Sequence, residues 1–125
     1  MKRTRVAITG IGMVTPVGNT TAATWDALRL GKAGAGPITI FDASGFSTTI
    51  GAEVKGFDFQ NVISDRRLLK YASRSHRFAF GAAEQALADA GIRPSAETAE
   101  RWGFVVGAGM MGVSFEELSV VHQHA

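Results

Sequence analysis

Hydrophobic and polar positions divide the chain into recognisable elements. Arg5 to Thr9 is a short apolar run rich in β-branched residues and closed by Gly10, the pattern of a buried strand. Thr20 or Thr21 can cap a helix through Leu30, with Trp25 and Leu28 on its inner side and Gly31 stopping it. Residues 32–47 mix glycine, proline and brief apolar pieces and read as a loop. Thr48 to Val54 predicts a strand near a sheet edge.

The strongest periodicity comes next. Ser64 or Asp65 can cap a long helix that Gly91 and then Pro94 end. Between them Leu68, Ala72, Ala79, Ala82, Ala83, Ala86, Leu87 and Ala90 recur at helical spacing. So much alanine on one face lets a helix backbone sit close to its neighbour. Ser95 caps a short helical turn through Glu100, and Trp102 to Val106 predicts a second buried strand running into G-A-G-M-M-G. Strands alternating with helices argue for an α/β layer with a largely parallel sheet.

Composition narrows the classes. At 125 residues the chain suits one modest domain or part of a larger one. Hydrophobic residues at 46% against 19% charged indicate a globular protein with a core. A formal charge of +2 lends no support to a nucleic-acid partner. No run nears the ~20 apolar residues that span a bilayer, and the four apolar residues before Gly10 are too few for a signal-peptide core. A cytoplasmic protein without membrane partners is the expectation. Zero cysteines exclude disulfides, a thiolate nucleophile and cysteine-type zinc sites within this chain.

The stretch V-A-I-T-G-I-G-M-V-T-P-V-G-N, residues 6–19, invites comparison with a phosphate-binding turn. A dinucleotide site needs G-x-G-x-x-G, with the helix beginning at the second glycine. Gly10 and Gly12 fit, but Thr15 holds the third position and Pro16 follows. Pro16 drives Thr15 out of the helical region and so displaces the helix start. Asp42, closing I-T-I-F-D, imitates a ribose-binding acid but lies farther than the usual ~20 residues from the turn. The glycines therefore predict backbone crowding rather than a nucleotide.

Four stretches in order, V-A-I-T-G-I-G-M-V-T-P-V-G-N, I-F-D-A-S-G-F with G-A-E-V-K-G-F-D, A-A-E-Q-A-L-A-D-A-G, and W-G-F-V-V-G-A-G-M-M-G, resemble the β-ketoacyl-acyl-carrier-protein synthases. The resemblance covers almost all of residues 1–125. It implies the N-terminal part of the first half of a thiolase-like α/β fold, a mixed, largely parallel sheet with packed helices. The implied activity is decarboxylative condensation of an acyl thioester with malonyl-carrier protein, in fatty-acid or polyketide biosynthesis. It implies no bound cofactor, since the substrates ride on the phosphopantetheine of acyl carrier protein. Partners would be that carrier and a second subunit, in a homodimer or a heterodimer with a related chain. The resembled enzymes are several times longer and place a cysteine, two histidines and a lysine beyond this segment. The chain is thus expected to be an incomplete piece, inactive alone, with no catalytic residue of its own.

Site residues follow from the same resemblance. Arg67, Lys70, Arg74 and Arg77, beside Arg66, form a basic stripe at spacings of three, four and three. A solvated helix face is the ordinary account of such a run. In the resembled enzymes, however, basic residues matching Arg66, Arg67 and Lys70 help dock the acidic carrier, with Arg74 a weaker addition. Gly109, Met110, Met111 and Gly112 resemble a loop that gates the acyl pocket, where glycines hinge and methionine adapts to an alkyl tail. Two departures, Met111 for the usual glycine and Ser73 for a common aspartate, suit a specialised branch such as a polyketide or aryl-polyene synthase. His76, His122 and His124 match no catalytic position and, without a third ligand nearby, read as solvated side chains rather than a metal site.

Two other readings stay open. One is a chain-length-factor-like partner that lacks the nucleophile; the other is a free-standing carrier-binding module, which would be a folded monomer at this length.

Overall fold

A computed structural model describes residues 3–63 and 66–109. The first helix, α1 (Thr21–Arg29), is capped by Thr20, whose side chain accepts from the Ala23 amide. Leu30 is its C-cap, and Gly31 follows at φ +64°. The inward face is not the expected one. Trp25 and Leu28 are 62% and 59% exposed, and Thr24 and Ala27 are buried instead. The reason is polar: the Thr24 hydroxyl donates to the Gly18 carbonyl at 3.1 Å and meets the Thr15 hydroxyl at 3.1 Å. Small residues on that face let α1 lie on the 15–18 turn.

The segment expected to be loop contains a strand. Strand β1 (Ala35–Pro37) pairs antiparallel with β2 (Ile50–Ala52), in the register Ala35 to Ala52, Gly36 to Gly51 and Pro37 to Ile50. Pro37 is tolerated because it closes a three-residue edge strand. This hairpin is the one ladder among the described residues, and it is antiparallel. Its long connection is held by Glu53, which accepts from Thr39 and Ile40, and by the edge-on pair of Phe41 and Phe46, 5.5 Å apart.

The long helix is broken. A 3₁₀ turn at Phe59–Asn61, capped by Asp58, precedes α2 (Arg66–Tyr71); Ala72 and Ser73 then interrupt before α3 (Arg74–Ala90). The predicted caps Ser64 and Asp65 lie outside the described residues. Ser73 restarts the helix with a capping box: its hydroxyl accepts from the His76 amide, and the His76 ring accepts from the Ser73 amide. Ser73 thus performs the local task an aspartate would perform there, since both are good N-caps. His76, expected to be merely solvated, completes the box. Helix α3 ends as predicted at Gly91, which adopts φ +65°. Beyond it, Ser95 and Thr98 share a turn, and the helical piece is a 3₁₀ turn at Ala99–Arg101.

Neither outer strand joins a ladder among the described residues. Val6 and Ile8 are 90% and 85% exposed, and Val105 is 95% exposed. An apolar run shows that a segment is suited to burial, not which surface covers it. Both segments nevertheless converge on α3. The Phe104 ring stacks on Phe80 at 6.3 Å, and the backbone of residues 10–12 lies against the alanine face. A Cβ on Gly10 would stand 2.1 Å from the Ala86 carbonyl oxygen, and one on Gly12 would stand 1.9 Å from that of Ala82. The expected backbone crowding is present, and α3 is its other half.

Candidate functional site

The glycine turn is closed to phosphate by the helix beside it. The Ile11 amide donates to Oδ2 of Asp89 at 2.9 Å, and the Met13 amide to Oε1 of Gln85 at 3.4 Å. Gln85 returns a bond, donating Nε2 to the Asn19 carbonyl at 2.9 Å. Amides that would cradle a phosphate are already engaged, one of them by an anionic carboxylate that would repel it. Asn19 in turn donates to the Lys55 carbonyl at 2.8 Å, tying the turn to the segment after β2. Sequence reading missed Gln85 and Asp89. A polar pair four residues apart beside an alanine face is the signal that marks them.

The basic residues do not form one stripe. The break at Ala72–Ser73 puts Arg66, Arg67 and Lys70 on α2, and Arg74 and Arg77 on α3. Arg67 and Lys70 are exposed. Arg74 is exposed too, but its Nη2 donates to the Val54 carbonyl at 2.9 Å, and its guanidinium stands 5.0 Å from the Phe78 ring centre. Arg77, half-buried, donates Nε to the Ala72 carbonyl at 2.9 Å and lies 4.1 Å from the Phe59 ring centre. Arg77 thus braces the corner between the helices, Arg74 ties the start of α3 to the segment after β2, and Arg67 and Lys70 are exposed charges of α2.

Glu53, not singled out in the sequence, is buried. Its carboxylate accepts from the Thr39 amide and hydroxyl, each at 2.6 Å, and from the Ile40 amide at 3.1 Å, with Lys55 Nζ at 3.6 Å. Hydrogen bonds from the Thr39 side chain and backbone hold its pKa down from 4.5 to about 2. Glu53 and Lys55 border a shallow cleft of about 230 Å³ with Pro16, Gly34 and Gly36, but the carboxylate is turned onto the 39–40 backbone. Asp42, the nucleotide decoy, accepts from the Ser44 amide at 3.0 Å in a local turn, which lowers its pKa.

Of the suggested gate, Gly109 is described and exposed; Met110, Met111 and Gly112 lie outside the described residues, as do His122 and His124. Among the described residues no three His, Cys, Asp or Glu side chains are grouped to hold a metal, and no helix is long and apolar enough to cross a membrane.

Residues 3–124 match the family model of the beta-ketoacyl synthase N-terminal domain, and the chain belongs to that family. Its architecture is the N-terminal part of the thiolase-like α/β fold. A solved structure, the ishigamide ketosynthase/chain length factor, superposes with a TM-score of 0.62 at 34% identity, over 69% of this chain and 21% of that one. The chain is also 40% identical to 3-oxoacyl-(acyl-carrier-protein) synthase 2 of Coxiella burnetii, over 94% of this chain and 28% of the relative. It is 38% identical to the tetracenomycin polyketide synthase ketoacyl synthase beta subunit of Streptomyces glaucescens, over 88% and 27% respectively. The chain therefore spans little more than a quarter of the curated relatives it matches.

Proposed function

We propose that this chain is the N-terminal segment of a β-ketoacyl-acyl-carrier-protein synthase of fatty-acid or polyketide biosynthesis. In that reaction a cysteine thiolate takes the acyl group from its carrier. Malonyl-carrier protein then loses CO2, and the resulting enolate carbon attacks the acyl carbonyl. A carbon–carbon bond forms as the thiolate leaves. The cysteine, two histidines and lysine of this chemistry lie outside the 125 residues, so the segment by itself is expected to be inactive. The complete protein works as a homodimer or with a related subunit. The observation that carries the reading is the family match along residues 3–124.

Within this reaction the segment's part is to receive the carrier. Arg66, Arg67 and Lys70 on α2, with a smaller share from Arg74, meet the acidic carrier protein that brings substrate on its phosphopantetheine arm. The exposure of Arg67 and Lys70 supports this assignment. Gly109, Met110, Met111 and Gly112 gate the acyl pocket. The test is charge reversal in the full-length protein. Arg67→Glu with Lys70→Glu is expected to weaken carrier binding strongly at low salt and less at high salt. Unchanged affinity at low salt would remove the docking role.

A second reading has specific support. One relative is a ketoacyl synthase beta subunit, and the structural neighbour is named for a ketosynthase/chain length factor pair. The complete protein would then be the non-catalytic partner that shapes the pocket of an active subunit. The residue at the downstream nucleophile position separates the two: cysteine for the enzyme, glutamine or another residue for the partner.

A further inference from the structure

The brace at the α2–α3 corner assigns a job to Arg77 that its charge alone does not suggest. Helix α2 has six residues, and Ala72 and Ser73 separate it from the next turn of helix. Its direction therefore depends on what holds that junction. Ala72 is buried, and its carbonyl, facing the break, accepts from Arg77 Nε at 2.9 Å. The same guanidinium lies on Phe59, in the 3₁₀ turn that precedes α2. One planar group thus touches the chain both before and after α2. The Phe57 ring packs edge-on against Phe78 at 5.8 Å, so the segment before the 3₁₀ turn is also seated on α3.

We infer that Arg77 is a positioning residue for carrier docking: by joining the Ala72 carbonyl to the Phe59 ring it fixes the direction of α2, and with it the placement of Arg67 and Lys70. This rests on the carrier-docking reading above. Arg77 acts through geometry, and its charge is turned inward onto a carbonyl and a ring. A lysine preserves the charge but not the planar face that stacks while bonding sideways. Arg77→Lys should therefore fail where a simple charge contact would survive.

The experiment measures binding of purified acyl carrier protein to the full-length protein at several salt concentrations. Arg77→Ala, Arg77→Lys and Phe59→Leu are each expected to weaken binding about fivefold. Their salt dependence should stay that of the wild type, and the Arg77→Ala/Phe59→Leu pair should be no worse than either alone. Arg67→Glu with Lys70→Glu should change the salt dependence itself. In turnover, KM for a carrier-borne thioester should rise with kcat unchanged, while a pantetheine thioester lacking the carrier should react as before.

Wild-type affinity in Arg77→Lys would show that charge alone matters and overturn the inference. An equal fall in turnover of carrier-borne and carrier-free thioesters would also overturn it, by showing a general structural role. If the three corner variants bind normally while Arg67→Glu with Lys70→Glu does not, this inference fails and the docking reading stands. If that charge reversal is itself without effect, the docking reading fails.

Discussion

The amide of Ile11 and the carboxylate of Asp89 meet at 2.9 Å across 78 residues of chain. With Gln85 one turn earlier on α3, Asp89 receives the backbone of the glycine turn as a neighbouring strand would. Asp89→Ala is expected to destabilise the full-length protein by about 1 kcal/mol, the net worth of one hydrogen bond. Asp89→Asn, which keeps an acceptor, should cost less. Thermal unfolding and amide exchange at Ile11 check both, and exchange should quicken at Ile11 before more distant amides.

Substitution at Gly12 should act on folding rather than on any ligand. Its added Cβ would sit 1.9 Å from one α3 backbone atom and 2.8 Å from another, and backbone cannot move as a side chain tip can. Gly12→Ala is expected to cost about 3 kcal/mol or to prevent folding altogether. Soluble yield and denaturant midpoint report the result. A variant as stable as the wild type would mean that the turn does not lie this close to α3.

The capping box sets the start of α3. Ser73→Ala should cost about 1 kcal/mol, whereas Ser73→Asp should be near neutral. His76→Glu should keep the reciprocal bond and suit the positive end of the helix, so it should match or exceed the wild type. His76→Ala should fall between Ser73→Ala and the wild type. Thermal midpoints of the four variants order them.

Glu53 makes a signed pH prediction. Its pKa is lowered on folding from 4.5 to about 2, so its contribution is fully present above the unfolded value. That contribution is lost as pH falls from about 4.5 through about 2. Glu53→Gln offers one acceptor oxygen where three donors converge, so it should unfold more easily than the wild type at neutral pH. The gap should hold down to about pH 5 and close below it. A gap constant to pH 2 would show that the carboxylate's charge is not what the Thr39 and Ile40 donors stabilise.

Much was legible where the cause is local. Thr20 caps α1, and Gly31 and Gly91 take the left-handed conformation after their helices, because each choice depends on neighbours a few residues away. Family membership was legible too, since it rests on the order of short motifs. The long helix failed at Ala72–Ser73 because helical periodicity also runs through a capped restart. Ser73 can cap a new helix, and side-chain spacing does not reveal whether it does. Pro37 and its glycines disguised β1, whose pairing with β2 depends on residues more than a dozen positions away.

By itself, then, the sequence determined the family, both ends of α1, the C-terminal end of α3, and the exclusion of a nucleotide helix by Thr15 and Pro16. Those outcomes follow from covalent geometry and from hydrogen bonds within one turn. Only the tertiary structure decided that Thr24 and Ala27, not Trp25 and Leu28, face inward, and that Arg77 turns onto a carbonyl and a ring while Arg67 and Lys70 stay exposed. It also decided what Gly10 and Gly12 crowd against. Each of these depends on a partner distant in sequence. Hydrophobic pattern and charge spacing state what a residue can do, and the packed neighbour selects which of those things it does.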